Sequence, residues 1–369
     1  MKVLAITTNF GFGPSSKLVS ILKSLNHKEN ILIDFLGVGN SLDFVSRNFW
    51  DINKYIEMDS EQIPGDQLNK LLNQYDLVIN VMNLHVQEIM ETNDKTKVIF
   101  VDSLSWMWPT PIEGITKADL YFIQNYFIDY NKVSNLKNIR VIEPIIDADI
   151  ETIYTESIYK NNDILVNVSG VFTPNEEDDF GIEFLKYYIG IFKKINTDKF
   201  GKVIFACNKN QMDYILKSGI DYSNMLFKIF SRIEFLTCAR QSKKVFSTPG
   251  LTFYLEASLL QDVYPYYLLP SNYSQVLLLE KYMCDKSRGL KLSDLDGNFI
   301  VDKNLDEMLA VQKVRSFLKK AWKYNTDTIL HGIHNFLNEE QEASNSQNKT
   351  KFLNGSVQLV EILEKEGVL

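Results

Sequence analysis

The segment of this sequence richest in possible chemistry is FSTPGLTFYLEASLLQDVYPYYLLPSNYSQ, residues 246–275. It reads as a strand, a tight turn at Pro249-Gly250, a helix, a second strand and a polar loop. At such a turn glycine lets a ligand approach the backbone. The first N–H groups of the helix, on Gly250, Leu251 and Thr252, have no partner within it and attract an anion. A diphosphate could be held there without a basic side chain. Glu256 follows Thr252 by one helical turn on the same face and lies about 9 Å along the axis from Gly250 at 1.5 Å per residue. That reach suits a carboxylate gripping ribose hydroxyls beside the diphosphate. Asn272 and Gln275, in the loop after the second strand, sit where ligands of open α/β sheets collect, and their amides suit sugar hydroxyls.

Other candidates are scattered. Gly11, Phe12 and Gly13 form a glycine loop (NFGFGPSS) that opens a helix. Asp102 ends the buried run KVIFV and is the first candidate for a proton acceptor, with a helix cap or turn as its plain alternative. His85, after DLVINVMNL, is the second, because an imidazole titrates near neutrality. Trp106 and Trp108 follow Asp102 and could wall an acceptor pocket or simply pack in the core. Ser169 and Gly170 close the strand DILVNV and could touch donor phosphates or form an ordinary turn. His331 and His334 are three apart, but no third ligand is near them, so no metal is expected.

These residues must be positioned by alternating strands and helices. KVLAITT, ILIDFLGVG, DLVINVM, KVIFVDSL and LYFIQNYF are continuous apolar runs separated by helix-compatible stretches, the pattern of a parallel sheet buried on both faces. The pattern restarts at DILVNVSGVFTP and continues through KVIFAC, NMLFKIF, KKVFST and VYPYYLL. The expectation is an α/β protein of two Rossmann-like, doubly wound domains facing a cleft. The two domains would be residues 1–150 and 151–340. A linker is expected near 145–160, where Glu143-Pro144 interrupts regular structure. Residues 341–369 would form a mobile polar loop and a terminal helix, VQLVEILEKE, packing back on the first domain.

The 369 residues are long enough for two cores, and 45% hydrophobic with 23% charged residues excludes a disordered or fibrous chain. A formal charge of −8 gives no global attraction to nucleic acid or anionic membranes. Cys207, Cys238 and Cys284 lack CxxC spacing, which argues against a disulfide framework or zinc site and fits a reducing cytoplasm. No apolar run reaches the roughly 18 residues of a spanning helix, and the first is too short for a signal peptide.

The order TPG-x-T, a glutamate one turn on, a strand ending in proline and Asn-x-x-Gln resembles the donor half of GT-B glycosyltransferases. The likeness is strongest to the branch of the lipid II N-acetylglucosaminyltransferase and the macrolide glycosyltransferases, and more distant to enzymes of the cytosylglucuronate synthase kind. The motif spans about 30 residues. The resemblance implies that residues 1–150 bind the acceptor and residues 151–340 the nucleotide sugar, with Gly250 to Thr252, at the donor-side turn that Pro249 opens, on the diphosphate, Glu256 on the ribose, and Asn272 and Gln275 on the donor sugar. It also implies uracil recognition by backbone groups of a loop at SRIEFL, around Ile233. Pro249-Gly250 replaces the usual Gly-Gly, and the histidine often found in the first glycine loop is absent, which leaves the base open. What is expected is a metal-independent, inverting hexosyltransferase that moves a sugar from a UDP-sugar to a small or peptide-linked acceptor, with no further cofactor. The alternatives are a catalytically silent accessory subunit of a partner transferase, and a nucleotide-sugar epimerase or hydrolase.

Overall fold

The computed structural model describes residues 1–91, 95–108, 114–147, 149–155, 158–172, 179–220, 222, 224–260, 262–282, 288–302, 304–339 and 353–369. The chain divides into two compact units, Met1–Ile150 with Lys349–Leu369, and Glu151–Asn348.

The first unit is built on seven parallel strands, β1 (Lys2–Thr7), β2 (Leu32–Leu36), β3 (Lys54–Ile56), β4 (Leu77–Val81), β5 (Lys97–Asp102), β6 (Leu120–Gln124) and β7 (Ile139–Ile142), in the order β3-β2-β1-β4-β5-β6-β7. The apolar runs are continuous because both faces are covered. On β1, Val3 and Ala5 pack with Leu18 and Leu22, whereas Leu4 and Ile6 pack on the other face with Leu68 and Val86. The last helix, Gly355–Lys365, belongs to this unit: Leu359, Val360 and Leu363 are buried in the same cluster as Leu18 and Leu22. Ser356 Oγ bonds Ser24 Oγ at 2.9 Å, and Glu364 and Glu366 pair with Lys28 and Arg140. Gly355 is required by close approach, since a Cβ there would overlap the carbonyl of Glu143. The polar stretch before this helix, expected to be a mobile loop, lies at 340–352 outside the described residues.

The second unit repeats the plan with six parallel strands, β8 (Ile164–Asn167), β9 (Val203–Ala206), β10 (Met225–Lys228), β11 (Lys244–Ser247), β12 (Pro265–Tyr267) and β13 (Arg288–Gly289), in the order β10-β9-β8-β11-β12-β13. Its core is aromatic: Phe246 meets Phe192 and Phe336 edge-on, both at 5.2 Å between centroids. Lys244 is buried, and its ammonium donates to the carbonyls of Phe336 and Glu339 at the end of helix Thr326–Asn338. There the helix dipole favours a cation. The expected linker is not irregular throughout. Residues Ile150–Thr155 form a short helix, with Ile150 and Ile153 buried three apart on one face.

In both sheets the first strand lies between neighbours reached in opposite directions, β2 and β4 around β1, and β9 and β11 around β8. The carboxyl end of such a switch point opens a crevice in doubly wound sheets.

Candidate functional site

In the second unit the switch point lies between β8 and β11, whose last residues, Asn167 and Ser247, are partners across the sheet. Asn167 ties the two following turns together. Its Nδ2 donates to Ser247 Oγ at 3.1 Å, its carbonyl accepts from Thr248 N–H at 3.1 Å, and its Oδ1 accepts from the Ser169 hydroxyl at 2.8 Å. Ser169, Gly170, Pro249 and Gly250 are thereby gathered at one edge. The only sequence signal for Asn167 is a polar residue ending a buried strand.

The surface left there is backbone. A Cβ on Gly170 would meet nothing within 4 Å, and one on Gly250 would touch only the Thr248 carbonyl at 4.0 Å. Gly250 has φ −88° and ψ 131°, a conformation open to any residue, so glycine at this position keeps space rather than a special turn. Helix Leu251–Leu259 starts from it with no side-chain cap. The N–H groups of Leu251, Thr252 and Phe253 thus begin a helix whose dipole favours negative charge at this end.

Glu256 differs from its expected setting. Its side chain is 0% exposed and is ion-paired with Arg232, whose Nε donates to Oε1 at 3.2 Å. Arg232 opens helix Arg232–Gln241, sets its guanidinium 5.3 Å from the Phe235 ring centroid and belongs to no motif in the sequence. Ile233, expected in a loop, is the second residue of that helix and is exposed. The helix starts early because Ser231 and Glu234 form a capping box, and Lys228 helps hold the Glu234 carboxyl down at about 2.

Asn272 and Gln275 do not lie in a free loop either. Asn272 caps helix Tyr273–Leu277, accepting from Gln275 N–H at 3.0 Å, while Gln275, nearly buried, accepts from the N–H and hydroxyl of Ser271. Asparagine followed three residues later by glutamine is itself a helix-start pattern, so the amide oxygens are engaged locally. Arg315, buried and 4.5 Å over the Phe180 ring, braces this turn through the Ser271 carbonyl.

The carboxyl edge of the first sheet is filled by side chains. Gly11 takes a left-handed φ of +64°, Phe12 packs on Phe44 with ring centroids 5.3 Å apart, and Gly13 opens helix Gly13–Leu25. Lys17 on that helix is buried, donating to Gln124 Oε1 at 3.0 Å and the Ile145 carbonyl at 3.1 Å. Nothing in the sequence separates this lysine from a solvated one. After β4, Met82 holds a φ of +63°, an uncommon conformation for a non-glycine residue, and its Sδ accepts from Ser103 N–H. His85 follows in helix Leu84–Ile89, capped by Asn83, and its Nε2 is buried without a hydrogen-bond partner.

Asp102 is 0% exposed. Its carboxylate accepts from Leu104 N–H at 2.6 Å and from the Tyr121 hydroxyl at 2.9 Å. Burial raises its pKa to about 6, against the lowering effect of those bonds and of the Trp108 indole. The value would suit a base, but both oxygens face inward partners, so the turn-residue alternative describes it better. Trp106 is likewise interior: its indole donates to the Ser103 carbonyl at 3.2 Å and meets Phe127 edge-on, so it does not wall an open pocket. Trp108 is partly buried against the main core of this unit. Among the described residues no cluster of His, Cys, Asp or Glu could hold a metal, and no helix is long and apolar enough to cross a membrane.

Two Rossmann-like parallel α/β units in tandem define the GT-B class of fold. No protein-family pattern and no curated protein matches the chain. Among solved structures it is similar to the UDP-GlcNAc 2-epimerase of Methanocaldococcus jannaschii in complex with UDP-GlcNAc and UDP, at 12% identity and TM-score 0.52 over 99% of this chain and 100% of that one. S. aureus MnaA with UDP gives 12% and 0.52 over 100% and 97%. Arabidopsis thaliana UGT89C1 complexed with UDP gives 10% and 0.50 over 100% and 99%. At such identities the likeness is one of architecture, and it runs over the whole chain.

Proposed function

We propose that this protein binds a nucleoside-diphosphate sugar, uridine-based, at the carboxyl edge of the second sheet, and transfers the sugar to an acceptor. The observation that carries the reading is the pairing of open backbone at Gly170 and Gly250 with an uncapped helix start at the switch point of β8 and β11. Helix dipole and amides would stabilise the departing diphosphate, and the reading requires no cofactor beyond the nucleotide sugar. Transfer needs a proton acceptor. Of the two candidates, both enclosed, His85 keeps a buried Nε2 with no internal bond, whereas both oxygens of Asp102 are bonded internally.

A second reading, epimerisation of the nucleotide sugar itself, has a specific support in the fold likeness to the M. jannaschii 2-epimerase. Incubation of the protein with UDP-sugars separates the two: conversion without an added acceptor supports epimerisation, and conversion only with an acceptor supports transfer. The binding step is tested by thermal stabilisation with UDP, ADP, GDP, CDP and TDP. At 100 times its Kd, a ligand adds about 2.7 kcal/mol. If no diphosphate stabilises the protein, the site assignment is wrong.

A further inference from the structure

We propose that the helix layer of the second unit carries a second binding site, for a sugar bearing an anionic group. A cavity of about 510 Å³ is lined by Glu183, Lys186 and Tyr187 from helix Phe180–Lys194 and by Lys319 and Trp322 from helix Glu307–Tyr324. That volume lies within the range of small-molecule sites. None of these residues belongs to the carboxyl edge of the sheet, and the site is independent of the nucleotide reading.

One wall is a stack of three rings. Trp322 lies between Phe180 and Tyr187, with centroids 5.5 and 5.0 Å away and planes within 19° and 18°. Both faces of the indole are covered, and Tyr187 ends the stack among the described residues. One turn further along the same helix face, a Cβ on Gly190 would meet nothing within 4 Å, so the surface beyond the tyrosine is bare backbone. A ring at the end of a stack takes another flat apolar surface, an aromatic ring or the C–H face of a pyranose. The Trp322 Nε1 is buried and has no hydrogen-bond partner, and a buried donor in a cavity wall gains from an acceptor brought there.

The polar groups around the rings narrow the choice. Lys319 Nζ pairs with Glu183 Oε2 at 3.1 Å, but the two side chains are 39% and 47% exposed, and a pair so open to water is weak enough to yield to a ligand. Lys186 stands 5.6 Å over the Tyr214 ring, a contact that uses none of its three N–H donors. The Tyr187 hydroxyl lies 3.4 Å from Thr326 Oγ1, which itself donates to the Trp322 carbonyl at 2.6 Å. The tyrosine is therefore the donor of that pair and keeps its oxygen as an acceptor. Donors and acceptors together match the hydroxyls of a sugar better than a flat aromatic anion. Two ammonium groups against one carboxylate leave positive charge in excess, which matches an anionic substituent on that sugar.

The test is a nuclear magnetic resonance titration of the full-length protein labelled with ¹⁵N-tryptophan. Its four indole signals include that of Trp322, assigned by its loss in Trp322→Phe. The probes are the methyl glycosides of glucuronic, galacturonic and N-acetylneuraminic acids, with methyl glucoside and benzoate as the neutral sugar and the flat anion. At least one acidic glycoside should move the Trp322 signal and bind about 10-fold more tightly than either control. The exposed double variant Lys186→Gln with Lys319→Gln should weaken that glycoside about 10-fold, and Tyr187→Leu about fivefold. The other three indole signals, unchanged in these variants, show that the fold is kept; where Tyr187→Leu disturbs them, the lysine variant alone decides. If no acidic glycoside moves the Trp322 signal at millimolar concentration, the site is refuted. Methyl glucoside or benzoate binding as tightly as the acidic glycosides would overturn the ligand class, and undiminished binding in the lysine variant would overturn the role of the two cations.

Discussion

The carboxyl edges of the two sheets are built to the same topology and finished in opposite ways. At the second, between β8 and β11, Asn167 draws two turns together and leaves bare backbone at Gly170 and Gly250 before an uncapped helix. At the first, between β1 and β4, the space is taken by side chains: Phe12 on Phe44, buried Lys17 on Gln124, Met82 in a left-handed conformation, and an amide network in which Asn80 bonds the Asn83 carbonyl and Gln87. Under the proposed function the contrast separates two ways of handling a ligand. Backbone amides hold charge with little reorganisation and little sequence information, whereas side chains supply protons and shape.

Five substitutions would break or sharpen this contrast. The largest expected effect is on chemistry at the first edge. Under the transfer reading, His85→Gln should lower turnover about 100- to 10,000-fold with donor affinity unchanged, measured with a UDP-sugar and a working acceptor. A variant of full activity would remove His85 as the proton acceptor. Next comes the ion pair of the second unit: Glu256→Ala removes the buried carboxylate that faces the Arg232 guanidinium and should cost about 3 kcal/mol in urea unfolding. A loss below about 1 kcal/mol would mean that the pair is not structural.

Asp102→Asn should go the other way. Its folded pKa of about 6 lies above its ordinary value, so the folded state holds the proton more tightly than the unfolded chain. Stability associated with the protonated carboxyl is present at acid pH and falls as pH rises from about 4 through 6. At pH 7 the substitution should therefore stabilise by roughly 2 kcal/mol, with the gain vanishing near pH 4. Destabilisation at both pH values would contradict the assignment of burial as the dominant cause. Smallest in stability are Gly170→Ala and Gly250→Ala. A Cβ fits both positions, so unfolding should change by less than about 0.5 kcal/mol, yet UDP affinity should drop about tenfold where the methyl occupies ligand space. Undiminished binding in both variants would argue against close backbone approach.

The strands were legible because burial on both faces makes an apolar run with no competing period, as in KVIFVD and LYFIQ. β3 was not legible: Lys54–Ile56 is three residues long and largely exposed at a sheet edge, so it carries no such signal. The turn at Pro249-Gly250 could be read since glycine before an apolar helix has few other uses. The settings of Glu256, Asn272 and Gln275 could not, because each depends on a partner or a cap that spacing alone does not choose between. Arg232 and Lys17 carry no sequence signal for a related reason. A single basic residue in an amphipathic stretch looks solvated until the fold supplies the acceptor that buries it.

The helix Gly355–Lys365 also sets an order of events during synthesis. Ser24 bonds Ser356 across 332 positions, and Leu359, Val360 and Leu363 complete a core begun by Val3 and Ala5. The core of the first unit is therefore completed only after the ribosome has delivered the entire second unit. Nascent chains stalled before residue 355 should present a protease-resistant second unit and a first unit still open to cleavage.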